Sequence, residues 1–195
     1  MLTHMPRIEL GRSATYADLI ALPDHVVGEI VDDQLWTAPR PSPRHAWAAG
    51  QLMAELGSRL RGDGSSRAGG WRILPEPELH FGRQVVVPDL AGWRREHMPR
   101  LPDVAYIEAT PDWVCEVLSP STERLDRDRK LWVYGSAGVG HVWLVDPLAE
   151  SLEVLRRVGG SWTHVATHVG RDVAREEPFD ALDLHLALLW DDQEP

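Results

Sequence analysis

Three residues well separated along a chain of 195 could meet as one reaction centre: Asp89, Glu116 and Lys130. Asp89 follows a proline inside the apolar run QVVVPDLAGW, Glu116 is the lone acid of the apolar run 113–118, and Lys130 falls in the next stretch of helical periodicity. A carboxylate inside a buried strand is costly unless an ion pair or a metal offsets its charge. Two carboxylates from neighbouring strands can hold one hard cation through oxygen, with water and a phosphate oxygen completing the near-octahedral set that Mg²⁺ favours. A lysine beside them can orient or activate an attacking water and offset charge building on the phosphate. The chemistry these types predict is metal-assisted hydrolysis of a phosphate ester. Lys130 is the sole lysine among 20 basic residues, so the compact ammonium appears where arginine would serve worse. The plainer alternative is an exposed Asp126–Lys130 pair at i, i+4, which contributes little.

Positioning such residues needs defined elements. Residues 111–147 read as strand, turn, helix and strand: a buried strand over 113–118, a turn at Ser119-Pro120-Ser121, a helix over 122–137 and a second apolar strand over 141–146. The helix sets Asp126, Lys130 and Tyr134 along one line at i, i+4 spacing. This order predicts a right-handed parallel crossover, with a ligand site beyond the carboxyl ends of the strands near Glu116.

Upstream, residues 1–14 read as a loose leader, and Thr15 caps a short helix that Pro23 ends. A hairpin spans 26–31 and 35–38 with Glu29 in its first strand, where alternation allows either a solvent-facing or a site-facing acid. Ser42 and Pro43 open a helix to about residue 61, with His45 in its first turn and a buried stripe of Ala46, Ala49, Met53, Leu56 and Leu60. Residues 62–70 form a Gly/Ser-rich loop. Two long strands are expected over 71–81 and 84–93, with Pro88 marking a bend that aims Asp89. Glu76 and Glu78 share the first of these, one facing inward. Residues 94–110 are an excursion, Gly159-Gly160 joins a hairpin over 151–158 and 161–169 that extends the sheet, and 181–190 closes the fold before an acidic tail, 191–195.

Composition bounds the rest. A hydrophobic content of 43% over this length supports one domain, placed at 15–190. No stretch approaches the ~20 apolar residues of a membrane span, and the first residues lack the apolar core of a signal peptide, so a soluble, cytoplasmic chain is expected. Cys115 is the lone cysteine, which excludes an internal disulfide and a multi-cysteine zinc site and suits a core position. A net charge of −10 opposes bulk attraction to nucleic acid, leaving a local arginine patch as the means of binding, with Arg40, Arg44, Arg94 and Arg95 the candidates.

The blocks GEIVDDQLW, PRPSPRHAW, VVVPDLAGW, PDWVCEVLSPST, DRDRKLWVYGSAGV and HVWLVDP, in this order over 15–190, resemble the Uma restriction endonuclease family of the PD-(D/E)XK nuclease superfamily. The resemblance implies an α/β restriction-endonuclease-like core: a mixed central sheet flanked by helices and extended by N-terminal and C-terminal hairpins. It further implies a Mg²⁺- or Mn²⁺-dependent DNA endonuclease site with Asp89 and Glu116 as metal ligands and Lys130 as the basic catalytic residue. Glu29, His45 and Glu76 are supporting candidates. In the parent motif the lysine stands two residues after the acid on one strand, but that position here is Leu118. Lys130 must therefore replace it from the helix, or the site is inactive. A homodimer suits an enzyme that cuts both strands of a duplex. The competing expectation is an inactive nuclease-fold binding protein, which the acidic charge and the absence of a helix-turn-helix or basic tail favour.

Overall fold

The computed structural model describes residues 6–38, 40–60 and 70–190. A short strand β1 (Arg7–Ile8) and helix α1 (Tyr16–Ile20) precede a hairpin, β2 (Val27–Val31) and β3 (Gln34–Ala38). Asp32 and Asp33 form its turn with φ of 52° and 60°, the left-handed pair that matches strand twist in a two-residue connection. The Asp18 carboxylate accepts from both N–H and hydroxyl of Thr15, fixing the start of α1. The stretch expected as a loose leader is paired from Arg7 onward: Arg7 and Ile8 lie opposite Trp36 and Leu35, and Ala14 N donates to Asp33 O at 2.7 Å. The outer edge of β3 offers backbone groups that these residues satisfy. Residues 1–5 of that leader and the expected tail 191–195 lie outside the described residues, as do 62–69 of the expected loop and residue 61 at the expected helix end.

Helix α2 (Pro43–Leu60) starts where Ser42 Oγ accepts from His45 N at 3.3 Å. Its buried row is Ala48, Leu52, Leu56 and Leu60, shifted from the expected stripe; Ala49 and Met53 are half-buried at its side and Ala46 is exposed. Facing three leucines inward at four-residue spacing removes more apolar area from water than facing the alanines. The two long strands expected next each break in two, giving β4 (Trp71–Pro75), β5 (Leu79–Phe81), β6 (Gln84–Val86) and β7 (Leu90–Arg94). Pro75, Pro77 and Pro88 carry no N–H for a ladder, and Glu76 sits at φ 44°. The chain changes sheets at these breaks. β5 and β6 join the N-terminal hairpin in a second sheet, ordered β1-β3-β2-β6-β5, so that hairpin does not extend the central sheet as expected.

β8 (Trp113–Val117) leads into a π-helical turn over Leu125–Lys130 that continues as α3 (Leu131–Ala137), ends at Gly138 with φ 91°, and returns through β9 (His141–Asp146). β8 and β9 pair in parallel, as the strand–helix–strand pattern predicts. The glycine hairpin joins β10 (Ser151–Val158) to β11 (Ser161–Val169), and the central sheet runs β11-β10-β9-β8-β7-β4 with mixed directions. Side chains of β8 alternate between two cores. Trp113, Cys115 and Val117 pack with α2 and with the closing segment of β12 (Val173–Ala174), β13 (Leu184–His185), Leu186, Leu189 and Trp190. Val114 and Leu118 pack under α3 and against Val31, Leu79 and Val86 of the second sheet. Cys115 is free and fully buried, and burial pushes its thiol well up, so it packs as an apolar residue. No described helix is long and apolar enough to cross a membrane.

Candidate active site

Glu116 shares the strand parity of Val114 and Leu118, so it faces the layer occupied by α3 and the second sheet. There it meets Lys130, whose Nζ lies 2.8 Å from Glu116 Oε1, 2.9 Å from Glu29 Oε1 and 3.6 Å from Asp126 Oδ1. The four side chains are 3 to 5% exposed, which removes the alternative of a solvated Asp126–Lys130 pair. They come from three parts of the framework: Glu29 from β2, Glu116 from β8, and Asp126 and Lys130 from the π turn. A turn widened to i→i+5 keeps residues four apart nearly in line, so Asp126, Lys130 and the following Tyr134 all face the sheet. Tyr134 donates its hydroxyl to Glu116 Oε1. The backbone of Val87, between β6 and β7, closes the far side: its N–H donates to Glu29 Oε1 at 2.7 Å and its carbonyl accepts from Lys130 Nζ at 3.4 Å.

Asp89 stands at the mouth of this cluster. β7 and β8 pair antiparallel with Leu90 opposite Cys115, so the next step of the register sets Asp89 beside Glu116. Val117 N donates to Asp89 Oδ2 at 2.7 Å, and His45 Nε2 lies 3.2 Å from Asp89 Oδ1. The two side chains are 15% and 13% exposed, wetter than the lysine cluster behind them. Burial acts to lower the His45 imidazole, but the hydrogen bond and charge of Asp89, helped by the Val117 carbonyl and Asp126, hold it above its ordinary value. Arg40 and Arg44 are exposed just before His45, whereas Arg94 stacks its guanidinium over Trp71 at 4.2 Å.

Charge in the cluster is unbalanced. Three acids, Glu29, Glu116 and Asp126, lie within 3.6 Å of the one lysine, and Asp89 stands beside Glu116. Burial raises the Glu116 carboxyl well above the usual range against the pull of Lys130, and Asp126, Asp89 and Glu29 push it further. Asp126 is raised to about 6, again chiefly by burial. Burial alone would lower the Lys130 ammonium, but Glu116 and Glu29 hold it well above its usual value, so it is firmly protonated. Hard oxygen donors in excess of the one lysine, the outermost of them the 15% exposed Asp89, fit a hard divalent cation, with Asp89 and Glu116 the residues that would hold it. Among the described residues no three His, Cys, Asp or Glu side chains close into a ready-made metal cage. Mg²⁺ needs none, since it keeps several waters and takes one or two carboxylates.

Of the sequence candidates, Asp89, Glu116, Lys130, Glu29 and His45 are brought together. Glu76 is not: its side chain is exposed, and it touches the site through its backbone N–H, which donates to Asp89 O at 3.0 Å. Asp126 and Tyr134 join the cluster without having been candidates. The signal for both was their spacing with Lys130, four residues to either side.

The chain is thus a mixed α/β sheet protein with a recessed cluster of acids around one lysine. The chain belongs to the Uma2 family, described as "Putative restriction endonuclease", whose model matches residues 14–188. Its fold is similar to the crystal structure of a protein described as a "putative nuclease belonging to DUF820" from Anabaena variabilis, at 20% identity and a TM-score of 0.70, covering 90% of this chain and 97% of that one. No curated protein matches the chain. The family and the mixed α/β core expected from the sequence therefore both hold.

Proposed function

We infer that the chain is a Mg²⁺-dependent DNA endonuclease, able to use Mn²⁺, that hydrolyses phosphodiester bonds at the mouth between Asp89 and Glu116. The observation that carries this reading is the placement of Lys130: a helix-borne ammonium meets the strand-borne Glu116 at 2.8 Å, where the parent motif would use a strand lysine. A bound Mg²⁺ supplies Lewis acidity to the phosphate and lowers the pKa of a coordinated water. The protein's part is to hold and to donate. Val117 N and His45 fix Asp89, and Val87 N fixes Glu29. Because its neighbours keep Lys130 protonated, it acts as a donor that orients water and offsets phosphate charge, not as a base. The net charge of −10 makes DNA binding local and salt-sensitive, with the exposed Arg40 and Arg44, just before His45 in the chain, as its first contacts. Two copies would suit cleavage of both strands.

A second reading has one observation in its favour. Lys130 is already ion-paired with Glu116 and Glu29, as in a structural network of an inactive binding protein that kept the fold. Calorimetric titration of Mg²⁺ and Mn²⁺ into wild type and Asp89→Ala, followed by plasmid nicking, separates the two. Metal binding lost in Asp89→Ala together with metal-dependent nicking supports the nuclease. Absence of both leaves the binding protein.

A further inference from the structure

Tyr134 is fully buried and donates its hydroxyl to Oε1 of Glu116, the oxygen that also meets Lys130 Nζ. Its ring packs in the core with Val114, Val133 and Leu144, a place that phenylalanine would fill equally well. A phenol group in such a core is costly unless its hydrogen bond is made, so the polar atom points to a purpose beyond packing.

We propose that Tyr134 is a positioning residue for the cation site: with Lys130 it fastens one oxygen of Glu116 and leaves the other free for a cation shared with Asp89. This rests on the metal-site reading above. The two oxygens of a carboxylate diverge from one carbon in one plane, so two donors on Oε1 fix that plane and stop rotation of the group. Both donors come from one helix face, four residues apart across the first turn of α3. Glu29 and the Val87 carbonyl hold the ammonium from its other side, so Lys130 cannot swing out and release Glu116. Left with a single donor, the carboxylate would sample orientations in which its second oxygen turns from the mouth. Hydrogen-bonding partners of metal-binding side chains act in this way, and their loss typically weakens metal binding about 10- to 100-fold.

The test is Mn²⁺ affinity by calorimetry for wild type and Tyr134→Phe, with melting of the metal-free proteins alongside. The expected result is a dissociation constant raised about 10- to 100-fold in Tyr134→Phe, with a melting temperature lowered by no more than about 4 °C. Unchanged affinity in the variant overturns the role of Tyr134 while leaving the nuclease reading intact. Failure of wild type itself to bind Mn²⁺ overturns both. Should Tyr134→Phe fold poorly, a measurement on wild type decides. The chain has three tyrosines, and the other two, Tyr16 and Tyr106, pack against each other and His80. With ¹³Cζ-labelled tyrosine, saturating Mg²⁺ should move the Tyr134 resonance and leave those of Tyr16 and Tyr106 in place. A Tyr134 signal that does not move overturns the proposal.

Discussion

Two carboxylate–cation pairs with identical i, i+4 spacing lie within one turn of each other on the same helical segment, Asp126–Lys130 and Arg124–Asp128. The first is 5% and 3% exposed and opens onto Glu29 and Glu116; the second is 81% and 67% exposed, with its atoms 3.8 Å apart. Spacing alone made them equivalent. What separates them is the face of the helix, and with it the dielectric: the outer pair is screened by water, while the inner one sits where every charge must be balanced by a neighbour.

The sharpest way to break that contrast is a swap of cation type on each face. Lys130→Arg should reduce metal-dependent nicking by at least about 100-fold, because a larger planar donor cannot fit among three carboxylates or reproduce the direction of the ammonium. Arg124→Lys should leave the rate unchanged. Equal rates in Lys130→Arg and wild type would reduce Lys130 to a structural residue.

Deletion of charge should separate the two faces in stability. Lys130→Ala leaves Glu29 and Glu116 buried without their cation, a loss of about 3–5 kcal/mol in urea unfolding at neutral pH. Asp128→Ala on the outer face should change stability by less than about 0.5 kcal/mol. Comparable losses would mean that the inner cluster relaxes or hydrates when its lysine goes.

A smaller effect tests the inner pair by pH. Asp126 is raised from 3.8 to about 6 by burial, so between those values the folded state binds more protons than the unfolded one, and stability falls as pH rises through that window. Asp126→Asn removes this liability. Relative to wild type, its melting temperature should therefore increase from pH 4 to pH 7. A difference that stays constant over this range would show that Asp126 ionises in the folded state as easily as in water.

The sequence made the central unit legible because its signals are local: an apolar run with one acid, a Ser-Pro-Ser turn, helical spacing, a second apolar run. Asp89, Glu116 and Lys130 stood out for the same reason, each being a polar residue where its surroundings argued for none. The sheet change was hidden, although its prolines were visible, because the alternative partner of β5 and β6 is a hairpin some fifty residues upstream, as Ile30 opposite Val85 shows. Glu29 could not be assigned for a related reason. Alternation in a hairpin says that two faces differ, and only the sheet packed on it decides which is buried. Glu76 misled because its acid suggested a site role, whereas its positive φ turns the chain and leaves the side chain in solvent. The π turn has no local signature in these residues.

Val87 occupies the step where the chain leaves one sheet for the other, and its single residue is gripped from both sides, N–H by Glu29 and C=O by Lys130. The ion pair is thus also a clasp between the two sheets. Partial opening of the molecule along that seam would pull the acid–lysine cluster apart before either sheet had frayed, so the proposed nicking activity should vanish as a unit on heating or in denaturant.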